Sequence, residues 1–155
     1  MEWVTAESEG LTLHLERVLP ARRQLVFAAC TEPELLAEWW GPRDFTAPSI
    51  ELDLRVGGRY RIAMQPPEGE LFYLTGEFRE IDPLNRLAYT FSWEAPDPDD
   101  QETVVVLVFR DTGPSTEMVL DQGPFATAGR YELHHAGWTD GFERLKQVLS
   151  SRRPD

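Results

Sequence analysis

From Ser49 to Gly123 the apolar residues fall on alternate positions, run after run, with turn residues between the runs. Ile50, Leu52 and Leu54 alternate with Glu51, Asp53 and Arg55, and Gly57-Gly58 then reverses the chain into Tyr60, Ile62 and Met64. Phe72, Leu74, Gly76 and Phe78 follow a turn at PPEG. Leu87, Tyr89, Phe91 and Trp93 alternate with Ala88, Thr90 and Ser92 in the clearest strand of the chain. Thr103–Phe109 (TVVVLVF) is apolar on both faces and belongs near the middle of a sheet. Thr116, Met118 and Leu120 complete six strands. Upstream, Leu11, Leu13 and Leu15 alternate with Thr12, His14 and Glu16 and add one more. An antiparallel sheet with one wet face has to cover the other. The single element long enough to do so is a helix at the end of the chain, where Tyr131, Trp138, Phe142, Leu145 and Leu149 form an apolar stripe over about five turns. The expected class is α+β, a curved antiparallel sheet of about six or seven strands gripping a long C-terminal helix with space between them.

The segment between the first strand and the rest reads as two short helices. Pro20 suits a first turn. Thr31 with Glu34 three residues later makes a capping box for the second helix, which has Pro33 in its first turn and runs through the tryptophans to Gly41-Pro42. Trp39 and Trp40 are adjacent, and neighbours on a helix point roughly 100° apart. One ring is expected to pack and the other to cap the mouth of the space between sheet and helix.

Lys plus Arg number 15 against 27 Asp plus Glu, a net charge of −12. This argues against nucleic acid, whose binding rests on phosphate neutralisation, and against an anionic membrane surface. Cys30 is the only cysteine and lies in an apolar helical pattern, a small buried hydrophobe rather than a disulfide or redox partner. Met1–Gly10 is acidic and without an apolar run, so no signal peptide is read. No segment has the length to span a bilayer. The expectation is one cytoplasmic domain over residues 1–155, with its core at about 11–150.

Four stretches, in order, resemble a known family: LPARRQLVFAACTEPELLAEWWGP (19–42), the VGGRYRI hairpin, GEFREIDPLNRLAYTFSW (76–93) and HHAGWTDGFERL (134–145). Together they resemble the family named after the activator of heat-shock protein 90 ATPase, within the START-like, birch-pollen-allergen-like (SRPBCC) superfamily. The resemblance implies the helix-grip fold and a cavity between the sheet and the long helix. The superfamily includes lipid and steroid carriers, receptors, aromatases and cyclases, and co-chaperone domains. It supplies no shared catalytic set, and the residues themselves show no Gly-rich phosphate loop and no Cys/His metal spacing, so no cofactor and no metal are expected. The eponymous co-chaperone has an additional N-terminal domain without counterpart in these residues, which weighs against a chaperone partner.

Periodicity sets His134 and His135 symmetrically about the apolar stripe. The resemblance selects His134, because family members carry a histidine three positions before the Gly-Trp pair. A neutral imidazole facing the cavity can bond a ligand or act as acid or base. Gly137 and Gly141, four apart inside a helix, each cost about 1 kcal/mol relative to Ala and imply a closely approached backbone, with the sheet as the expected partner. Glu77 and Arg79 face solvent unless a bulge near Ile81 turns one inward. The expected ligand-binding set is Trp39, Trp40, Tyr60, Tyr89, Phe91, Trp93, His134, Gly137, Trp138 and Gly141. Three functions follow: a binding domain for a small hydrophobic or aromatic molecule; a cyclase- or hydrolase-type enzyme using His134 with Tyr60, Tyr89 or Glu77; and an interaction module, homodimeric or chaperone-binding, using an exposed Trp and the sheet's outer face.

Overall fold

A computed structural model describes residues 11–152; the acidic N-terminal segment and the last three residues read above lie outside them. The chain runs β1 (Leu13–Leu19), α1 (Arg23–Thr31), α2 (Pro33–Leu36), β2 (Ile50–Leu52), β3 (Arg59–Met64), β4 (Phe72–Asp82), β5 (Arg86–Trp93), β6 (Thr103–Asp111), β7 (Thr116–Gly123) and α3 (Ala128–Arg152). The strands form one antiparallel sheet in the order β1-β7-β6-β5-β4-β3-β2. Every connection within β2 to β7 is a hairpin between neighbours, as alternating runs separated by short turns require. The excursion through α1 and α2 carries the chain from one edge of the sheet to the other. This is the helix-grip arrangement.

The inward set is the one that alternation selects. Leu13, Leu74, Val105 and Leu120 are fully buried, and on α3 so are Leu145 and Leu149. Phe27 of α1 meets Phe109 of β6 edge-on at 5.4 Å. Along α3 the two halves differ. The C-terminal half is sealed by Leu145 and Leu149 and the helix packs on β1; the N-terminal half faces open space.

Several local expectations are corrected. The first helix begins at Arg23, not at Pro20. There is no capping box: Thr31 is the last residue of α1, and its hydroxyl donates to the Phe27 carbonyl oxygen at 2.8 Å. Glu32 alone separates the two helices and caps α2 without a side-chain bond. The second helix stops at Leu36, so the tryptophans lie in the turn after it. β2 ends at Leu52, leaving Leu54 41% exposed. β6 is an interior strand, but its outer face is not covered and Val104 is 37% exposed. β4 has its bulge between Phe78 and Glu80, and Arg79 stays exposed.

Candidate ligand-binding cavity

A cavity of about 390 Å³ lies between the N-terminal half of α3, the concave face of β4 and β5, and the turn after α2. That is within the range of small-molecule sites, about 300–1,000 Å³. Its walls are aromatic. Trp40 meets Trp138 edge-on at 5.2 Å, and Trp39 meets Trp40 at 5.6 Å. Phe91 and Trp93 of β5 lie 5.4 Å apart on the sheet side. Both adjacent indoles border the cavity, yet they are only 1% and 6% exposed. Neither is a flap at the mouth. Because they sit in a turn and not on a helix, the 100° rule does not separate them. The Trp39 N–H donates to the Ala29 carbonyl at 2.9 Å, tying the turn to α1.

The turn is also latched to α3. The Arg144 guanidinium donates to the carbonyls of Trp40, Gly41 and Pro42 at 3.0, 3.2 and 3.2 Å. Partial burial lowers its pKa from the usual value. The same turn faces the two helix glycines. A Cβ on Gly137 would meet Pro42 at 3.6 Å, and one on Gly141 would meet the Trp39 ring at 3.6 Å and the Gly41 carbonyl oxygen at 3.7 Å. What faces both glycines is therefore the Trp39–Pro42 turn and not the expected sheet, and mostly through its side chains. The contacts are of ordinary van der Waals length.

His134 lies among Phe91, Trp93 and Phe125, at ring separations of 5.6, 6.0 and 4.9 Å. Its Nδ1 is 2.9 Å from the Arg130 carbonyl oxygen one turn back on its own helix. Burial pushes its pKa below the usual 6.5, which favours the neutral ring near pH 7. His135 points elsewhere and stacks on Tyr131 at 6.1 Å.

Two expected members do not reach this cavity. Tyr60 and Tyr89 line a separate small pocket of about 20 Å³ beside Cys30, on the other side of Trp40. The Tyr60 hydroxyl donates to the Thr90 carbonyl at 2.6 Å. Burial raises the pKa of both phenols and pushes the Cys30 thiol up to about 12. Glu77 lies on the outer face, 3.9 Å from Arg59. So none of the three proposed partners stands beside His134. The exposed Trp required by the interaction-module reading is not supplied by Trp39 or Trp40.

Two features escaped the sequence. Arg130, in the first turn of α3, gathers three carboxylates of the proline-broken loop APDPDD (95–100): Asp97 at 2.5 Å, Asp99 at 3.1 Å and Asp100 at 3.2 Å. The Asp100 side chain is 8% exposed. The contact holds Asp99 below the usual carboxylate range. It also straps the β5–β6 loop over one rim of the cavity, which the exposed Leu133 borders as well. Second, fully buried Gln122 of β7 accepts from the Trp138 N–H at 2.7 Å and donates to Thr103 at 2.8 Å. An acidic Pro-rich loop and a lone strand glutamine carry no local mark of such partners.

Comparison with known proteins bears on this geometry. The profile of the family described as "Activator of Hsp90 ATPase homolog 1-like protein" matches residues 20–150, most of the chain. This chain belongs to that family. Among solved structures, a Chromobacterium violaceum protein is 25% identical over 94% of this chain and 99% of its own, and superposes with a TM-score of 0.83. A Nitrosomonas europaea protein is 29% identical over 92% of this chain and 96% of its own, with a TM-score of 0.77. A Silicibacter pomeroyi protein is 25% identical over 92% and 99%, with a TM-score of 0.79. No curated protein matches. Among the described residues no helix is long and apolar enough to cross a membrane.

Proposed function

We propose that this Hsp90-activator-like chain is a binding domain for a small hydrophobic or aromatic molecule, held between the sheet and α3. The observation that carries the reading is the cavity of about 390 Å³ walled by Trp40, Phe91, Trp93 and Trp138. Aromatic faces bury large apolar area and prefer edge-to-face contact with other rings, so they favour an aromatic guest over a polar one. Gly137 and Gly141 line the cavity without a side chain, where a bulkier residue would take up space. The enzyme reading has less support, because Tyr60, Tyr89 and Glu77 all lie away from His134.

Native mass spectrometry of protein purified without detergent tests the proposal, with adducts of low-molecular-mass apolar compounds as the expected result. An added apolar probe should change Trp fluorescence, and Trp40→Ala should weaken its binding by about 2 kcal/mol or more. Absence of both adducts and probe binding would sink the proposal.

A further inference from the structure

The polar ring in the aromatic wall, in its neutral form, is fixed in one tautomer. A carbonyl oxygen only accepts, so the contact with Arg130 places the His134 proton on Nδ1 and leaves Nε2 as a lone-pair acceptor. Among the described residues Nε2 meets no donor. Nor, among those residues, is any buried side-chain nitrogen or oxygen both sealed from solvent and unpartnered. Nε2 is therefore reached by solvent, and the His134 ring borders both the cavity and a small pocket of about 10 Å³ beside Asp99 and Asp100. Of the four indoles in the wall, two have their donors committed elsewhere: the Trp39 N–H to Ala29 and the Trp138 N–H to Gln122.

The charges at the rim restrict the guest further. Arg130 is answered by Asp97, Asp99 and Asp100, so the cluster is net negative and its cation is already paired. A carboxylate guest would meet repulsion there. An acceptor in an apolar wall left without a donor is costly, and a second acceptor set against it adds to the cost.

We infer that the cavity takes a neutral aromatic molecule carrying a hydroxyl donor, seated with that hydroxyl on His134 Nε2 and its ring against Trp40, Phe91 and Trp138. This rests on the reading of the cavity as a binding site and names the class of guest. The nitrogen is an acceptor that positions the guest; no bond is made or broken.

The test is a set of NMR titrations of the full chain at pH 7.5 with 2-naphthol, 2-methoxynaphthalene, naphthalene and 2-naphthoate. The net value of one hydrogen bond predicts 2-naphthol binding about three- to tenfold tighter than its methyl ether. 2-Naphthoate should bind weakest. In His134→Phe, which keeps a ring in place, the preference for 2-naphthol over the ether should vanish while naphthalene binding persists. In the unaltered protein the His134 Nε2 nitrogen resonance should shift with 2-naphthol and not with the ether, a readout that needs no variant to fold. Equal affinity for naphthol and ether, or a preference that survives His134→Phe, overturns the inference while leaving apolar binding intact. Failure of all four probes to bind overturns the binding reading as well.

Discussion

Replacing Gly137 and Gly141 by alanine should stabilise the protein, which is unusual for two substitutions in the wall of a cavity. Both lie inside α3, where glycine is about 0.8–1.0 kcal/mol worse than alanine for conformational reasons. The added methyls would meet Pro42 at 3.6 Å and the Trp39 ring at 3.6 Å, ordinary contacts that require no movement. Each carbon–carbon contact made adds only about 0.1–0.2 kcal/mol of dispersion. The pair should therefore gain about 1–2 kcal/mol, which for a chain of this size is a rise in Tm of roughly 2–8 °C. Gly76→Ala in β4 is the control of opposite sign. Its Cβ would lie 2.0 Å from the Thr90 carbonyl oxygen and 2.5 Å from the Tyr60 ring, which is itself bonded to that carbonyl. Overpacking there should cost about 3 kcal/mol or more, the upper end of such effects. Urea denaturation of the three proteins, with thermal melts alongside, measures all of this. A loss of stability in Gly137→Ala/Gly141→Ala would refute the reasoning, since it would mean the Trp39–Pro42 turn presses on α3 more tightly than these distances state. Apolar probes should bind the stabilised variant more weakly, because its methyls border the cavity.

Arg144→Met should cost about 1–2 kcal/mol by leaving three carbonyls of the turn without their charged donor, and should shift Trp emission to the red as the turn loosens. Trp138→Phe strands the buried Gln122 oxygen and should cost about 1–3 kcal/mol beyond the lost packing; a double-mutant cycle with Gln122→Leu should show a coupling energy clearly different from zero. The two structurally described histidines with resolved shifts should act oppositely with pH. Bonds to Asp121 and then Glu16 raise the His14 pKa above 6.5, so its stabilisation is complete below 6.5 and fades as pH rises through the folded value. Burial lowers the His134 pKa, so its neutral form is stably housed above 6.5, and stability falls as pH drops toward the folded value. Tm measured from pH 5 to 8 for His14→Gln and His134→Gln should give difference curves of opposite slope; parallel curves would show that one assignment is wrong.

Strand alternation was enough to place the fold, because each run had one face to bury and a turn at either end. It named Tyr89 and Phe91 as a matched inward pair, and both do point inward. It had no means of showing that Trp40 stands between them and sends them to different pockets, since that depends on where the turn after α2 crosses the strand. Thr31 reads equally well as a helix start, because a threonine hydroxyl serves an N-cap and a preceding-turn carbonyl alike, and the single residue between α1 and α2 decides for the latter. The cavity's aromatic members were visible as large side chains on inward faces. The arginines that fix its rim and its turn were not. Arg130 and Arg144 look like any helical cation, and what distinguishes them are partners roughly 30 and 100 residues away along the chain, whose proximity only tertiary packing sets.

Apolar surfaces resist separation far more than they resist sliding. A helix lying on a greasy sheet can be advanced or rolled with little change in buried area. The Gln122–Trp138 bond removes that freedom here. Set among hydrocarbon side chains, it behaves as a dowel: advancing α3 by one turn, about 5.4 Å, would carry the indole N–H out of reach and leave a buried amide oxygen stranded. Thr103 holds the other end of the same amide, so the dowel is seated in two strands at once. The helix therefore has one azimuth and one depth over the sheet, and the void beneath its first turns has a fixed calibre.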